Sequence, residues 1–198
     1  MADGKDEKPR IIFLRGRKVI LRPMRKSTDL EKCLVWFNDP EVTHYLLRSW
    51  PIMEQEEELW FDGLKKKDND IVLAIETLDG VFIGTMGLCG ISWKDGTATT
   101  GAAIGEKSYW GKGYGTDAKM ALLDYAFNVL NLRKICSTVT AYNKRSIQYN
   151  RHCGYKVEGV RRRHIFKNGR YHDEVLLAVF KKDWLPIWKG YRKTGKVK

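Results

Sequence analysis

The sequence predicts an α+β domain: a mixed, largely antiparallel twisted sheet flanked by helices. Three observations carry this. Three β-runs separated by short Gly-containing turns follow one another over residues 71–105, the spacing of an antiparallel meander. A helix over about 116–130 joins that meander to a further β-run at 134–141, an α/β crossover. The 198 residues, 43% of them apolar, suffice for one domain that buries its own core.

Residues 1–10 are polar, and residues 1–14 form a flexible N-terminal segment ahead of a single domain at 15–185. Residues 18–23 (KVILRP) read as a strand ended by Pro23. Residues 27–37 form a helix capped by Ser27 or Thr28, with Leu30, Leu34 and Phe37 at helical spacing. Asn38, Asp39 and Pro40 make a turn, with Pro40 opening a new helical turn. Residues 52–67 form a helix whose acidic start and basic end (Lys65, Lys66, Lys67) complement its dipole.

The meander then runs through 71–78, 81–91 and 97–105 and ends in a Gly-rich segment. The helix at 116–130 presents Ala118, Ala121, Leu122, Tyr125, Ala126 and Val129 on one face. After the strand at 134–141, Asn143 opens a second helix that ends near Gly154. Runs at 155–165 and 171–180 form a hairpin around Lys167, Asn168 and Gly169. Residues 186–198 are a basic C-terminal tail.

The net charge is +12 and it is not evenly spread. Residues 131–172 hold 11 basic and 1 acidic side chains, and residues 181–198 hold 7 and 1. A one-sided basic region suits an anionic partner, whether phosphates, nucleic acid or an acidic surface, or is a solvated face. Cys33, Cys89, Cys136 and Cys153 form no C-x-x-C pair and have no His at finger spacing, so no metal is expected. Free thiols fit a reducing, cytoplasmic compartment. No apolar run is long enough to span a membrane, and no membrane partner is expected.

Gly111, Gly113 and Gly115 lie between a predicted strand and a predicted helix. Glycines there let the backbone turn sharply and approach a ligand, and the helix's first N–H groups are free and partly positive. The combination suits a phosphate or pyrophosphate, with Lys112 as a mobile cation. A Walker pattern is absent. Thr116 stands where a dinucleotide fingerprint wants Gly, and no acid follows at the end of the next strand.

Residues 104–116 (IGEKSYWGKGYGT) resemble the acyl-CoA loop of the GNAT superfamily of N-acetyltransferases, whose pattern is R/Q-x-x-G-x-G/A. Trp110 stands at the R/Q position. Asn143 to Ser146 and Cys153 to Tyr155 resemble the superfamily's second CoA segment. Leu21 to Pro23, Trp36 to Val42, Glu158-Gly159 and Tyr171 to Asp173 resemble the RimJ/RimL-type branch, and LLDYAFNVLNLRK is similar to bacterial spermidine acetyltransferases. The resemblance covers about residues 15–185.

It implies a GNAT-like sheet splayed at an acyl-CoA site, acetyl-CoA as cosubstrate, and direct attack of a primary amine on the acetyl group. Backbone groups of Ile104 and Glu106 would bind pantetheine, and residues Gly111, Lys112, Gly113, Tyr114, Gly115 and Thr116 the pyrophosphate. Asn143 would lie against the pantetheine. Many members carry a Tyr acid seven residues after this Asn; here Asn150 stands there, so Ser146 is the candidate donor. Glu41 and His172 are candidate bases.

The amine could be a protein N-terminus, an aminosugar, an antibiotic or a polyamine; a basic site would repel a polyamine. A homodimer is compatible with the reading. Two other classes stay open: an RNA- or ribosome-binding module using Arg161 to Arg163, and an inactive CoA-binding sensor.

Overall fold

The structure, a computed structural model, describes residues 10–64 and 68–197. One eight-stranded sheet runs through it in the order β1-β2-β3-β4-β5-β6-β8-β7. The strands are β1 (Leu14–Arg15), β2 (Val19–Pro23), β3 (Ile71–Thr77), β4 (Phe82–Ser92) and β5 (Thr97–Ile104). They continue as β6 (Lys134–Thr140), β7 (Lys156–Lys167) and β8 (Arg170–Phe180). β3 to β5 pair antiparallel, as the turn spacing predicts, β2 adds antiparallel to β3, and β7–β8 is the expected hairpin. The single parallel pairing is β5 with β6, and it spans only Thr97↔Lys134 to Thr99↔Cys136.

The helices are α1 (Lys26–Asn38), α2 (Pro40–Thr43), α3 (Glu54–Gly63), α4 (Tyr114–Asn128), α5 (Lys144–His152) and α6 (Lys181–Thr194). Neither Ser27 nor Thr28 caps α1. It begins one turn earlier than a cap there would allow, and the Asp29 carboxylate holds the Arg25 N–H at 2.8 Å. Pro40 does open a helical turn, with Asp39 accepting the Glu41 N–H. The basic end expected at Lys65, Lys66 and Lys67 lies outside the described residues.

Two cores flank the sheet. On one face Met120, Leu122, Leu123 and Phe127 of α4 pack with Ile83, Leu88, Ile135 and Trp184. On the other, α1 and α3 bring Leu30, Cys33, Trp36 and Phe61 onto Ala74 and Phe82. The buried face of α4 includes Lys119 and leaves Val129 exposed, so the apolar stripe is rotated from the one the sequence suggests.

Both ends join the fold. Residues 1–9 lie outside the described residues, but Phe13 pairs with Leu21 and the Arg10 guanidinium meets Glu76 at 2.8 Å. The boundary expected at 185/186 falls inside α6, whose Trp184 and Tyr191 are buried.

Candidate active site

Where β5 and β6 stop pairing, they diverge. The Thr100 hydroxyl makes the last bridge, to the Cys136 carbonyl at 3.2 Å. Past it, β5 continues to Ile104 and β6 to Thr140 with a cleft of about 930 Å3 between them. The Gly105 N–H donates to the Ile83 carbonyl, which makes Ile83 and Gly105 a hydrogen-bonded pair. By antiparallel alternation the backbone groups of Ile104 and Ala102 therefore face away from β4, into the cleft. Gly105 is needed at this corner, because a Cβ there would lie 2.0 Å from the Trp36 ring.

The Gly-rich loop closes one end. Gly111 and Gly113 have φ of +73° and +83°, a region that side chains other than glycine rarely adopt. Gly113 is the N-cap of α4. The N–H groups of residues 111–116 have no hydrogen-bond partner among the described residues. Six free N–H groups at and just before a helix start, with open space at the missing Cβ of Gly111 and only ordinary contacts at Gly113 and Gly115, fit a pyrophosphate. Lys18 adds a cation that the sequence reading missed. Its Nζ donates to the Lys112 carbonyl at 2.9 Å and would lie 3.6 Å from a Cβ at Gly113.

Trp110, Gly111, Gly113, Tyr114, Gly115, Thr116, Ile104, Asn143, Ser146 and Asn150 all line the cleft. Glu106 does not; its N–H is taken by the Ile83 carbonyl, so the edge facing the cleft is that of Ala102 and the Ile104 N–H. Nor does Lys112. Trp110, at the position where the family pattern has Arg or Gln, makes two contacts here. Its indole N–H donates to the Ile104 carbonyl at 2.7 Å, and its ring carries the Arg145 guanidinium at 4.5 Å. Asn143 caps α5 by accepting the Ser146 N–H, and the Ser146 carbonyl accepts from Asn150.

Neither proposed base reaches the cleft. Glu41 is 71% exposed and bonded to Lys107. His172 packs against Tyr142 and holds the Lys167 carbonyl. The carboxylate on the cleft wall is that of Glu174, two residues further along β8 and buried. Its Oε2 meets Arg161 at 2.8 Å, and Oε1 has no partner among the described residues.

A further wall of the cleft comes from the segment after α2, through Tyr45, Leu46 and Leu47. Lys167 holds it by donating to the carbonyls of Thr43, Leu46 and Arg48, and the Tyr142 hydroxyl donates to the His44 carbonyl at 2.7 Å.

The cleft floor holds a lysine. Lys119 is 2% exposed; its Nζ lies 2.7 Å from Asn150 Oδ1 and 3.4 Å from Thr100 Oγ1. The rings of Tyr149 and Tyr155 face it at 4.5 and 4.8 Å. Burial lowers its pKa to about 8. Tyr149 donates to the Gly115 carbonyl, and burial holds its phenol well above the usual value. The signal for Lys119 was present in the sequence: it shares the i, i+3, i+4, i+7 face with Leu122, Leu123 and Ala126.

A parallel strand pair that opens into a cleft, with a glycine-rich loop of free N–H groups at the start of the next helix, marks the class of mixed α+β folds to which the chain belongs. The chain belongs to the GNAT acetyltransferase family: the Acetyltransferase (GNAT) domain matches residues 18–156. It is an acyltransferase.

The uncharacterized N-acetyltransferase p20 of Bacillus licheniformis is 28% identical over 84% of this chain and 95% of that protein. The spermidine N(1)-acetyltransferase of Escherichia coli K12 is 36% identical over 39% of this chain and 41% of that protein. The fold matches a spermidine N-acetyltransferase from Vibrio cholerae, solved with CoA and spermine. There the TM-score is 0.79 at 24% identity, over 85% of this chain and 98% of that one.

Proposed function

We propose that the protein transfers the acetyl group of acetyl-CoA to the primary amine of a small molecule, by direct attack within a complex of both substrates. The observation that carries this is the split between β5 and β6, with free backbone groups along β5 and six unpaired N–H groups at its end. The N–H groups of residues 111–116 and Lys18 would hold the pyrophosphate. Ile104 and Ala102 would hold the pantetheine. The acceptor amine would approach along the wall formed by Val42, Tyr45 and Leu46. Its attacking nitrogen must be neutral, and Glu174 is placed to take the proton.

The spermidine acetyltransferase of Escherichia coli, the CoA- and spermine-bound Vibrio protein and the RimJ/RimL-type segments support an amine acceptor. A buried carboxylate on the cleft wall removes part of the objection that a basic site repels polyamines. The test is calorimetry with acetyl-CoA, followed by a panel of polyamines, aminosugars, antibiotics and N-terminal peptides read by thiol release. Binding with acceptor-dependent thiol release supports the reading; no binding of acetyl-CoA overturns it.

A further inference from the structure

Lys119 is an expensive group to place where it is. A buried ammonium without a carboxylate costs several kcal/mol relative to an apolar side chain of its size. Among the described residues its polar contacts are the Asn150 amide, the Thr100 hydroxyl and two aromatic rings. It stands at the crotch of the split, because Thr100 is the residue that follows the last β5–β6 pair. From there to Ile104, beside the anion loop, is four strand residues, about 13 Å. A pantetheine arm anchored at that loop and laid along β5 leads its sulfur toward Lys119.

We infer that Lys119 is the proton donor to the departing sulfur, working from α4 in place of an acid on α5. This rests on the acetyl-CoA reading above. When the amine nitrogen bonds to the acetyl carbon, the carbon–sulfur bond breaks and its electron pair stays on sulfur. An N–H proton of the Lys119 ammonium moves to that sulfur, so CoA leaves as the thiol and Lys119 is left neutral. The amine arrives as an ammonium and sheds two protons in all: one before attack, taken by Glu174 and passed to solvent, and one after the carbon–nitrogen bond forms, which restores the Lys119 ammonium.

The groups facing Lys119 suit this. Tyr149 and Asn150 come from α5, Cys153 is its C-cap, Thr100 comes from β5, and Tyr155 from the segment after α5. The thiol of Cys153 is pushed up to about 12, and the Tyr149 and Tyr155 phenols are raised by burial, so none of them ionises near neutrality. Lys119, lowered to about 8, is close to the ordinary range of a thiol, and proton transfer between matched groups needs little driving force. Asn150 Oδ1 points the ammonium, and its own amide N–H is fixed on the Ser146 carbonyl.

The experiment needs no acceptor amine. CoA with its free thiol is bound to the protein and its thiolate absorbance is followed against pH, with a CoA lacking sulfur as the blank. An ammonium beside the sulfur should make the bound thiol ionise about one pH unit or more below free CoA. Lys119→Met should abolish that shift while calorimetry shows CoA affinity within about threefold of wild type. A purely structural lysine would leave the thiol titration alone. If bound and free CoA titrate together in the wild type, the inference is overturned, and that measurement does not depend on any variant folding. If Lys119→Met or Lys119→Gln keeps the full shift, it is equally overturned. If the wild type does not bind CoA at all, the acetyl-CoA reading has failed first and takes this inference with it.

Discussion

Asp117 accepts the backbone N–H of Lys18 at 2.7 Å, tying the β1–β2 turn to the first turn of α4. The same carboxylate takes the N–H groups of Arg17 and Val19 at 3.0 Å each and the hydroxyl of Tyr191 from α6. One buried side chain thus holds the sheet edge, the C-terminal helix and the anion loop in register. It also places the Lys18 cation beside that loop.

Removing this carboxylate leaves several buried donors without partners. Asp117→Ala should cost about 3 kcal/mol, read as a lower urea midpoint with an unchanged slope. Gly16→Ala should disturb the same contact, since a Cβ at Gly16 would lie 2.3 Å from Asp117 Oδ2.

Gly113 has a positive φ, and a Cβ there would meet only Lys18 Nζ at 3.6 Å, so a side chain strains the backbone without a core clash. Gly113→Val should cost about 1–2 kcal/mol of stability and remove most of the thermal protection given by CoA. Protection equal to wild type, measured by thermal shift, would place the pyrophosphate elsewhere.

The two carboxylates Glu174 and Glu41 should separate cleanly. Glu174→Gln keeps an acceptor for Arg161 but removes the base, and kcat should fall about 100-fold with acetyl-CoA affinity unchanged. Glu41→Gln loses only an exposed ion pair with Lys107 and should stay within about twofold of wild type in kcat. The reverse order of effects would put the base on α2.

Lys119 also makes stability depend on pH in a definite direction. Its pKa is about 8 in the fold against 10.5 as the ordinary value, so between those pH values the unfolded chain holds the extra proton. Stability therefore rises as pH goes from about 8 to about 10.5, and is lost as pH falls back through 8. Relative to Lys119→Met, the wild type should gain about 3 kcal/mol across that window, measured by urea unfolding at fixed ionic strength.

The local signals in the chain were enough for most of the architecture. Turn residues at Gly80 and Gly96 set the meander, and glycines between β5 and α4 marked the anion loop, because both depend on backbone conformation over a few residues. Expectations about side chains that act at a distance fared differently. His172 and Glu41 looked suitable by type and position. In the fold, Glu174 lines the cleft, one step further along the strand face it shares with His172, while Lys107 holds Glu41 outside it. Tyr191 falls in the basic tail expected at 186–198, yet it is buried against the domain.

The sequence by itself determined the family, the antiparallel meander and the place of the glycine-rich turn, since each is written in contiguous residues. The tertiary structure alone decided what stands around the chemistry. Lys119 and Asn150 are 31 residues apart and Glu174 is farther still. Their meeting depends on β5 and β6 parting after three paired residues, which no local pattern encodes. A lysine on an apolar helix face becomes a proton-bearing group of lowered pKa only when the fold strips it of water and offers no carboxylate in return.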